Sequence, residues 1–171
     1  MPAKEINLHH AHQNKLFYFV ANVVVYRDSD HKCLLLKRSR EEKVHPGKYC
    51  VPGGKLEWND LPVENPTRMN GDVLDYQDAI EKLLLREVQE EAGLLIHDEW
   101  LYINNVAFIR PDGIPVVLAK FAARYKEGDV VLEEGSFIDF VWVDASEVEK
   151  YDCIQGIAQE VQETIQLFRN V

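Results

Sequence analysis

Between Asp78 and Gly93 the chain encodes a helix that works against itself. Ala79, Leu83, Val88 and Ala92 recur among strong helix formers, and Gly93 is a natural C-terminal stop. On such a helix Glu87, Glu90 and Glu91 are related by steps of three and four residues, so their carboxylates share roughly one face. Like charges at this spacing each cost about a few tenths of a kcal/mol. They also crowd toward the helix C-terminus, where the macrodipole disfavours anions. A solvated acidic face is one reading, because charge runs usually sit in water. The other is a hard divalent cation: Mg²⁺ takes oxygen ligands and suits a few carboxylates completed by water and substrate phosphate.

The flanking segments say what surrounds the helix. Phe17 to Tyr26 is rich in β-branched and aromatic residues and runs into the turn formers Arg27 to Asp30, after which Cys33 to Lys37 reads as a second, buried strand of a hairpin. Arg38 to Lys48 is a charged loop punctuated by Pro46-Gly47, and Tyr49 to Val51 is a short extended piece before Pro52-Gly53-Gly54. Trp58 to Tyr76 holds Pro62, Pro66, Asn70 and Gly71 with little apolar period and is expected to be an irregular loop. Trp100 to Arg110 and Ile114 to Tyr125 are strand-like around the turn Pro111-Asp112-Gly113, and Phe137 to Val143 is a further strand. Ile154, Ile157, Ala158, Val161, Ile165 and Phe168 mark an amphipathic C-terminal helix. This order predicts the α+β class, an αβα sandwich around a mixed central sheet. The polar, His-rich residues 1–15 are expected to form a mobile segment before a single domain over 16–171.

Charge and cysteine content narrow the function. With 19 Lys+Arg against 29 Asp+Glu the net charge is −10, which disfavours coating duplex nucleic acid through an overall basic field. A cation can still reverse the field at one site. Cys33, Cys50 and Cys153 are odd in number and lack CxxC spacing, so reduced thiols and a cytoplasmic location are expected. No apolar run approaches the ~20 residues of a membrane span. His9, His10 and His12 have a metal-like spacing, yet on a polar terminus they read as solvated. Cys50 reads as a small buried apolar residue. Trp58, Trp100, Trp142, Tyr49 and Phe108 suit either base stacking or core packing.

Arg86-Glu87-Val88-Gln89-Glu90-Glu91-Ala92-Gly93-Leu94, with the upstream Pro52-Gly53-Gly54-Lys55-Leu56-Glu57, resembles the Nudix box, G-x5-E-x7-R-E-U-x-E-E-x-G-U with U a bulky apolar residue. The second half matches at every fixed place. The spacing does not: six places from Gly54 reach Asp60, eight back from Arg86 reach Asp78, and 78 − 60 = 18 residues are inserted. The acidic position of the first half is therefore Asp60 or Asp78, Asp in either case where the pattern has Glu.

The resemblance implies water-driven cleavage of a nucleoside diphosphate linked to another moiety, with Mg²⁺ as cofactor and Mn²⁺ as a substitute. It implies metal ligands at Gly53 (through its carbonyl), Glu87, Glu90 and Glu91, with Glu133 or, preferred, Glu134 added from the loop before the late strand. Glu87 and Glu90 carry catalytic roles with Arg86, which orients a glutamate; the general base is left open. Arg38 is the candidate for a substrate phosphate, against the plainer reading of a surface salt bridge. Pro111 stands at nearly the separation seen in members that cleave ADP-ribose. Members often form homodimers, but no interface is legible here. The implied partner is a small phosphorylated substrate, a nucleotide derivative, with no membrane. The competing reading is a nucleotide-binding or regulatory module that kept the fold and lost turnover.

Overall fold

Successive side chains of the first long strand, β1 (Tyr18–Arg27), divide between two cores. Ala21, Val23 and Val25 enter one, Val24 and Tyr26 the other. This is the period-2 alternation of a strand covered on both faces. The computed structural model describes all 171 residues and contains β2 (Lys32–Arg38), β3 (Tyr49–Cys50), β4 (Gly53–Lys55), β5 (Arg68–Asn70), β6 (Val73–Asp75), α1 (Ala79–Ala92), β7 (Leu95–Ile109), β8 (Pro115–Glu127), β9 (Phe137–Val143) and α2 (Ile157–Arg169). Helix α1 packs Leu83, Leu84, Val88 and Ala92 on the first core, and α2 packs Ile157, Val161, Ile165 and Phe168 on the second. The result is the expected αβα sandwich. Its seven-stranded sheet is mixed, with β1 and β8 parallel and the other pairs antiparallel.

One topological detail places the site. Strands β1 and β2 pair only beside their turn, at Tyr26↔Cys33 and Arg27↔Lys32. Farther along they part, β1 taking β4 through Val20↔Lys55, Ala21↔Gly54 and Asn22↔Gly53, while β2 takes β3 through Leu36↔Cys50 and Lys37↔Tyr49. Residues 49–55 thus fill a fork in the sheet, and the Val23 N–H donates to the Pro52 carbonyl at 2.9 Å to close it.

Three expectations need correction. The segment from Trp58 to Tyr76 is not wholly irregular: β5 and β6 form a hairpin around Gly71-Asp72, with the left-handed φ of +60° at Gly71 that suits the first turn position. Its strands are three residues each and largely exposed, too short to show a period. Strand β7 begins at Leu95, five residues before Trp100, because register shifts accommodate the polar His97-Asp98-Glu99 that interrupts the apolar pattern. The last helix begins at Ile157, and Ile154 lies in the preceding loop.

Candidate active site

The apolar stripe of α1 decides where its acids go. With Leu84, Val88 and Ala92 buried, Glu87 and Glu91 fall at the edge of the packed face while Glu90 points outward. The helix ends at Gly93 with φ +68°, whose N–H donates to the Gln89 carbonyl at 3.0 Å. Two further helix-end carbonyls accept from the loop before β9: Val131 N–H to Ala92 at 2.9 Å and Glu133 N–H to Glu91 at 3.1 Å. That capping brings an additional acid to the helix end.

Opposite the acids lies the glycine pair in the sheet fork. The Gly53 N–H donates to Glu91 Oε2 at 3.0 Å. A side chain at Gly54 would run into the Glu87 carboxyl, so that carboxyl lies directly on the strand backbone. Arg86 ties the group together: it pairs with Asp60, donates to Glu87 Oε1 at 3.2 Å and approaches Glu90 Oε1 at 3.9 Å. Asp60 is held in turn by the Glu57 N–H at 2.8 Å.

The electrostatics follow from crowding. Burial pushes the Glu91 carboxyl up to about 8, the charges of Glu87 and Glu133 push the same way, and the Gly53 N–H and Arg38 oppose them. Glu87 is also raised, by burial first and by Glu90 and Glu133, against the pull of Arg86. Arg86 and Arg38 are the side-chain cations that oppose these shifts.

The residues expected from sequence do not all assemble. Gly53, Arg86, Glu87, Glu90 and Glu91 come together around the fork. Glu133 and Glu134 are both exposed; Glu133, whose N–H donates to the Glu91 carbonyl at 3.1 Å, is the one whose charge raises Glu87 and Glu91. Arg38 borders the same cleft, but its guanidinium is engaged by Glu42 at 2.8 Å and the Val44 carbonyl at 2.9 Å, which holds the loop after β2. Of the two candidate acids in the first half of the pattern, Asp60 meets Arg86, whereas Asp78 is the exposed residue before α1, at φ +57°. Asp60→Asn is therefore expected to weaken the Arg86 anchor and lower turnover by about tenfold, while Asp78→Asn, which keeps a residue tolerant of left-handed backbone, leaves rate and stability unchanged. Steady-state kinetics and thermal melts of the two variants check this.

Other sequence candidates resolve into packing. Cys50 is in the core, its thiol pushed up to about 12 by burial, as suits the small buried apolar residue expected. Trp100 and Trp142 pack against that core, and His9, His10 and His12 are exposed on the terminus. Phe108 lines a cleft of about 1710 Å³. That cleft begins at Glu87, Glu90 and Glu91, crosses Gly53 and Gly54, and continues on the α2 side of the sheet over Val20, Val116 and Leu118. Asn22, Lys120 and Glu160 line it as well, and sequence reasoning passed over all three. Their signal was that each is polar where the strand or helix period calls for an apolar residue.

Comparison with known proteins agrees with this geometry. A model of the NUDIX domain matches residues 18–162. The nucleoside triphosphatase NudI of Klebsiella pneumoniae is 30% identical over 128 residues, 70% of this chain and 77% of that protein. The peroxisomal coenzyme A diphosphatase ndx-8 of Caenorhabditis elegans is 26% identical over 116 residues, 68% of this chain but only 43% of that longer protein. Among solved structures, the MutT protein of Methanosarcina mazei Go1 superposes with a TM-score of 0.61 at 20% identity, covering 94% of this chain and 100% of that one. The NUDIX domain of Shewanella oneidensis NrtR, solved with ADP ribose, superposes with a TM-score of 0.65 at 16% identity, covering 92% and 90%.

Proposed function

Because this chain belongs to the NUDIX domain family, we propose that it hydrolyses, with Mg²⁺, a diphosphate linkage in a nucleoside diphosphate joined to another moiety. One observation carries the reading. The crowded acids of α1 abut a glycine ridge, and the cleft continues across that ridge onto an apolar floor, so a polyanion and an organic group have adjoining places.

The donor set suits a hard cation. The available groups are carboxylate oxygens of Glu87, Glu90, Glu91 and Glu133 with the Gly53 carbonyl, and burial and mutual repulsion leave the first and third short of positive charge. No three acidic, His or Cys side chains are gathered into a ready-made cage. Mg²⁺ does not require one, since it keeps several waters and takes one or two carboxylates plus phosphate oxygens. When bound, the metal supplies neutralisation of the phosphate charge and a lowered pKa for a water nucleophile.

The chain's own residues supply orientation. Gly53 N–H pins Glu91 at Oε2, leaving Oε1 of that carboxylate for a ligand. Arg86 holds Glu87 through Oε1, and Glu87, partly buried with its proton affinity raised, is the leading acceptor for a proton from water. Lys55 and Arg110 lie near Tyr18 at the cleft rim, their cationic ends 5.9 and 6.0 Å from the ring centre; Arg110 is paired with Asp112 at 2.7 Å, and Lys55 offers positive charge to phosphate oxygens. Water adds to phosphorus, the bridging P–O bond breaks, and the proton is left on the acceptor.

Support also comes from two relatives whose names describe diphosphate or triphosphate cleavage. No helix is long and apolar enough to cross a membrane, and with three free cysteines we assign the chain to the reducing cytoplasm. The test is incubation with Mg²⁺ and nucleoside triphosphates, ADP-ribose, nucleotide sugars, dinucleoside polyphosphates and coenzyme A, with products identified by mass. At least one should be cut at the diphosphate, and chelation should stop it. If all stay intact while a nucleotide binds, the chain is a binding module.

A further inference from the structure

On the α2 face of the sheet, the far arm of the cleft ends in polar groups that the protein leaves incompletely paired. Asn22 and Lys120 are neighbours across β1 and β8, two residues before Val24↔Ala122, whose side chains enter the α2-side core. They therefore point to that same face. Glu160, from the first turn of α2, reaches down and pairs through Oε1 with the Lys120 ammonium. Its side chain is 2% exposed and that of Lys120 12%. Glu160 Oε2 and Asn22 Oδ1 are buried without any hydrogen-bond partner, and both residues line the cleft. Thr164 Oγ1 is also unpartnered but does not line it.

An ion pair kept only for stability would close on itself, because a buried charged oxygen left unmatched is expensive. Here two buried acceptors are left without a partner near one ammonium donor, in residues that line the cleft. Next to them lies a floor of Val20, Val106, Phe108, Val116 and Leu118, with Val106 and Phe108 each more than 40% exposed. An apolar floor ending in a few convergent polar groups is the arrangement of a site that stacks a flat ring and reads its edge.

We propose that Asn22, Lys120 and Glu160 are specificity-determining residues that select a base edge with adjacent N–H donors beside a carbonyl, the edge of a 2-amino-6-oxopurine such as guanine. The two N–H positions match the unpartnered oxygens of Glu160 and Asn22, which a small side-chain turn brings to the cleft, and the carbonyl accepts from Lys120. Adenine offers one donor position beside a ring acceptor, and uracil one N–H between two carbonyls, so each leaves a buried acceptor unmatched. This inference rests on the diphosphate-hydrolysis reading and names the substrate class of that cleft.

The test compares kcat/KM for GTP with that for ATP, CTP and UTP in Mg²⁺, and the affinity of GDP with that of ADP in EDTA. The protein should favour guanine by at least about tenfold. Glu160→Gln, which keeps the shape but turns Oε2 into a donor or removes its charge, should erase that preference, lowering kcat/KM for GTP at least about tenfold more than that for ATP. A purely structural Glu160 would instead lower all nucleotides alike, and that result overturns the inference, as does a wild-type protein that cuts nucleotides without base preference. If Glu160→Gln fails to fold, the wild-type preference alone decides. If nothing is cut but GDP binds over ADP by that margin, hydrolysis fails and the base assignment stands. If neither cutting nor selective binding occurs, both fall.

Discussion

Replacing Glu91 by glutamine is expected to lower kcat by at least about a hundredfold while the protein still folds. The amide keeps the volume of the carboxyl and an oxygen for the Gly53 N–H, so the strand-to-helix contact at 3.0 Å survives. What is lost is a negative charge placed where the α1 acids meet the glycine ridge. The same substitution should change the pH dependence of stability in the metal-free protein. Glu91 is raised from 4.5 to about 8, foremost by burial and then by Glu87 and Glu133, so the folded state holds this proton more tightly than the unfolded state. Its contribution to stability is full below about pH 4.5 and is lost as pH rises from there through about 8. In EDTA the parent protein should weaken across that window by up to a few kcal/mol, and Glu91→Gln by much less. Mg²⁺ at pH 8.5 should restore stability to the parent and little to the variant. Urea titrations at pH 5 and pH 8.5 with and without Mg²⁺ read this directly; unchanged turnover, or equal slopes in EDTA, would refute the role given to Glu91.

The adjacent glycines should respond to alanine in opposite ways. At Gly53 an added Cβ would press on backbone, namely the Ala21 carbonyl and Asn22 Cα, the latter at 2.7 Å. Neither can move without parting β1 from β4, so Gly53→Ala is expected to cost about 1–3 kcal/mol or more and to lower the melting temperature by several degrees. At Gly54 the obstacle is the end of a flexible side chain, the Glu87 carboxyl. Glu87 can swing away, so Gly54→Ala should fold nearly as well yet lose at least about tenfold in kcat, because the carboxyl no longer sits on the ridge. Thermal melts alongside kinetics separate the two cases. Equal stability losses would show that Gly53 is not pressed against β1 backbone more tightly than Gly54 is against Glu87.

Much of this was readable along the chain. Helix α1 could be placed almost to the residue because its apolar spacing, helix formers and Gly93 stop all lie within one short window. Strands β1 and β2 were legible because burial on both faces demands β-branched and apolar runs, and β9, exposed along its middle, from its β-branched and aromatic residues. The hairpin β5–β6 was not, because its exposed strands carry no burial to leave a pattern. Sequence spacing also could not choose between Asp60 and Asp78. The choice depends on how 18 extra residues return, and only the fold shows Asp60 delivered to Arg86.

By itself, then, the order of residues determined the long elements, the αβα layering and the crowding of three glutamates on one helix, since each follows from neighbours within a few turns of chain. Tertiary structure alone decided that the Glu133 N–H caps the Glu91 carbonyl, that Arg38 is engaged by Glu42 and Val44, and that Asn22, Lys120 and Glu160 meet. These are contacts between distant segments. Their distances are set by sheet register and helix docking, and local propensity carries no record of either.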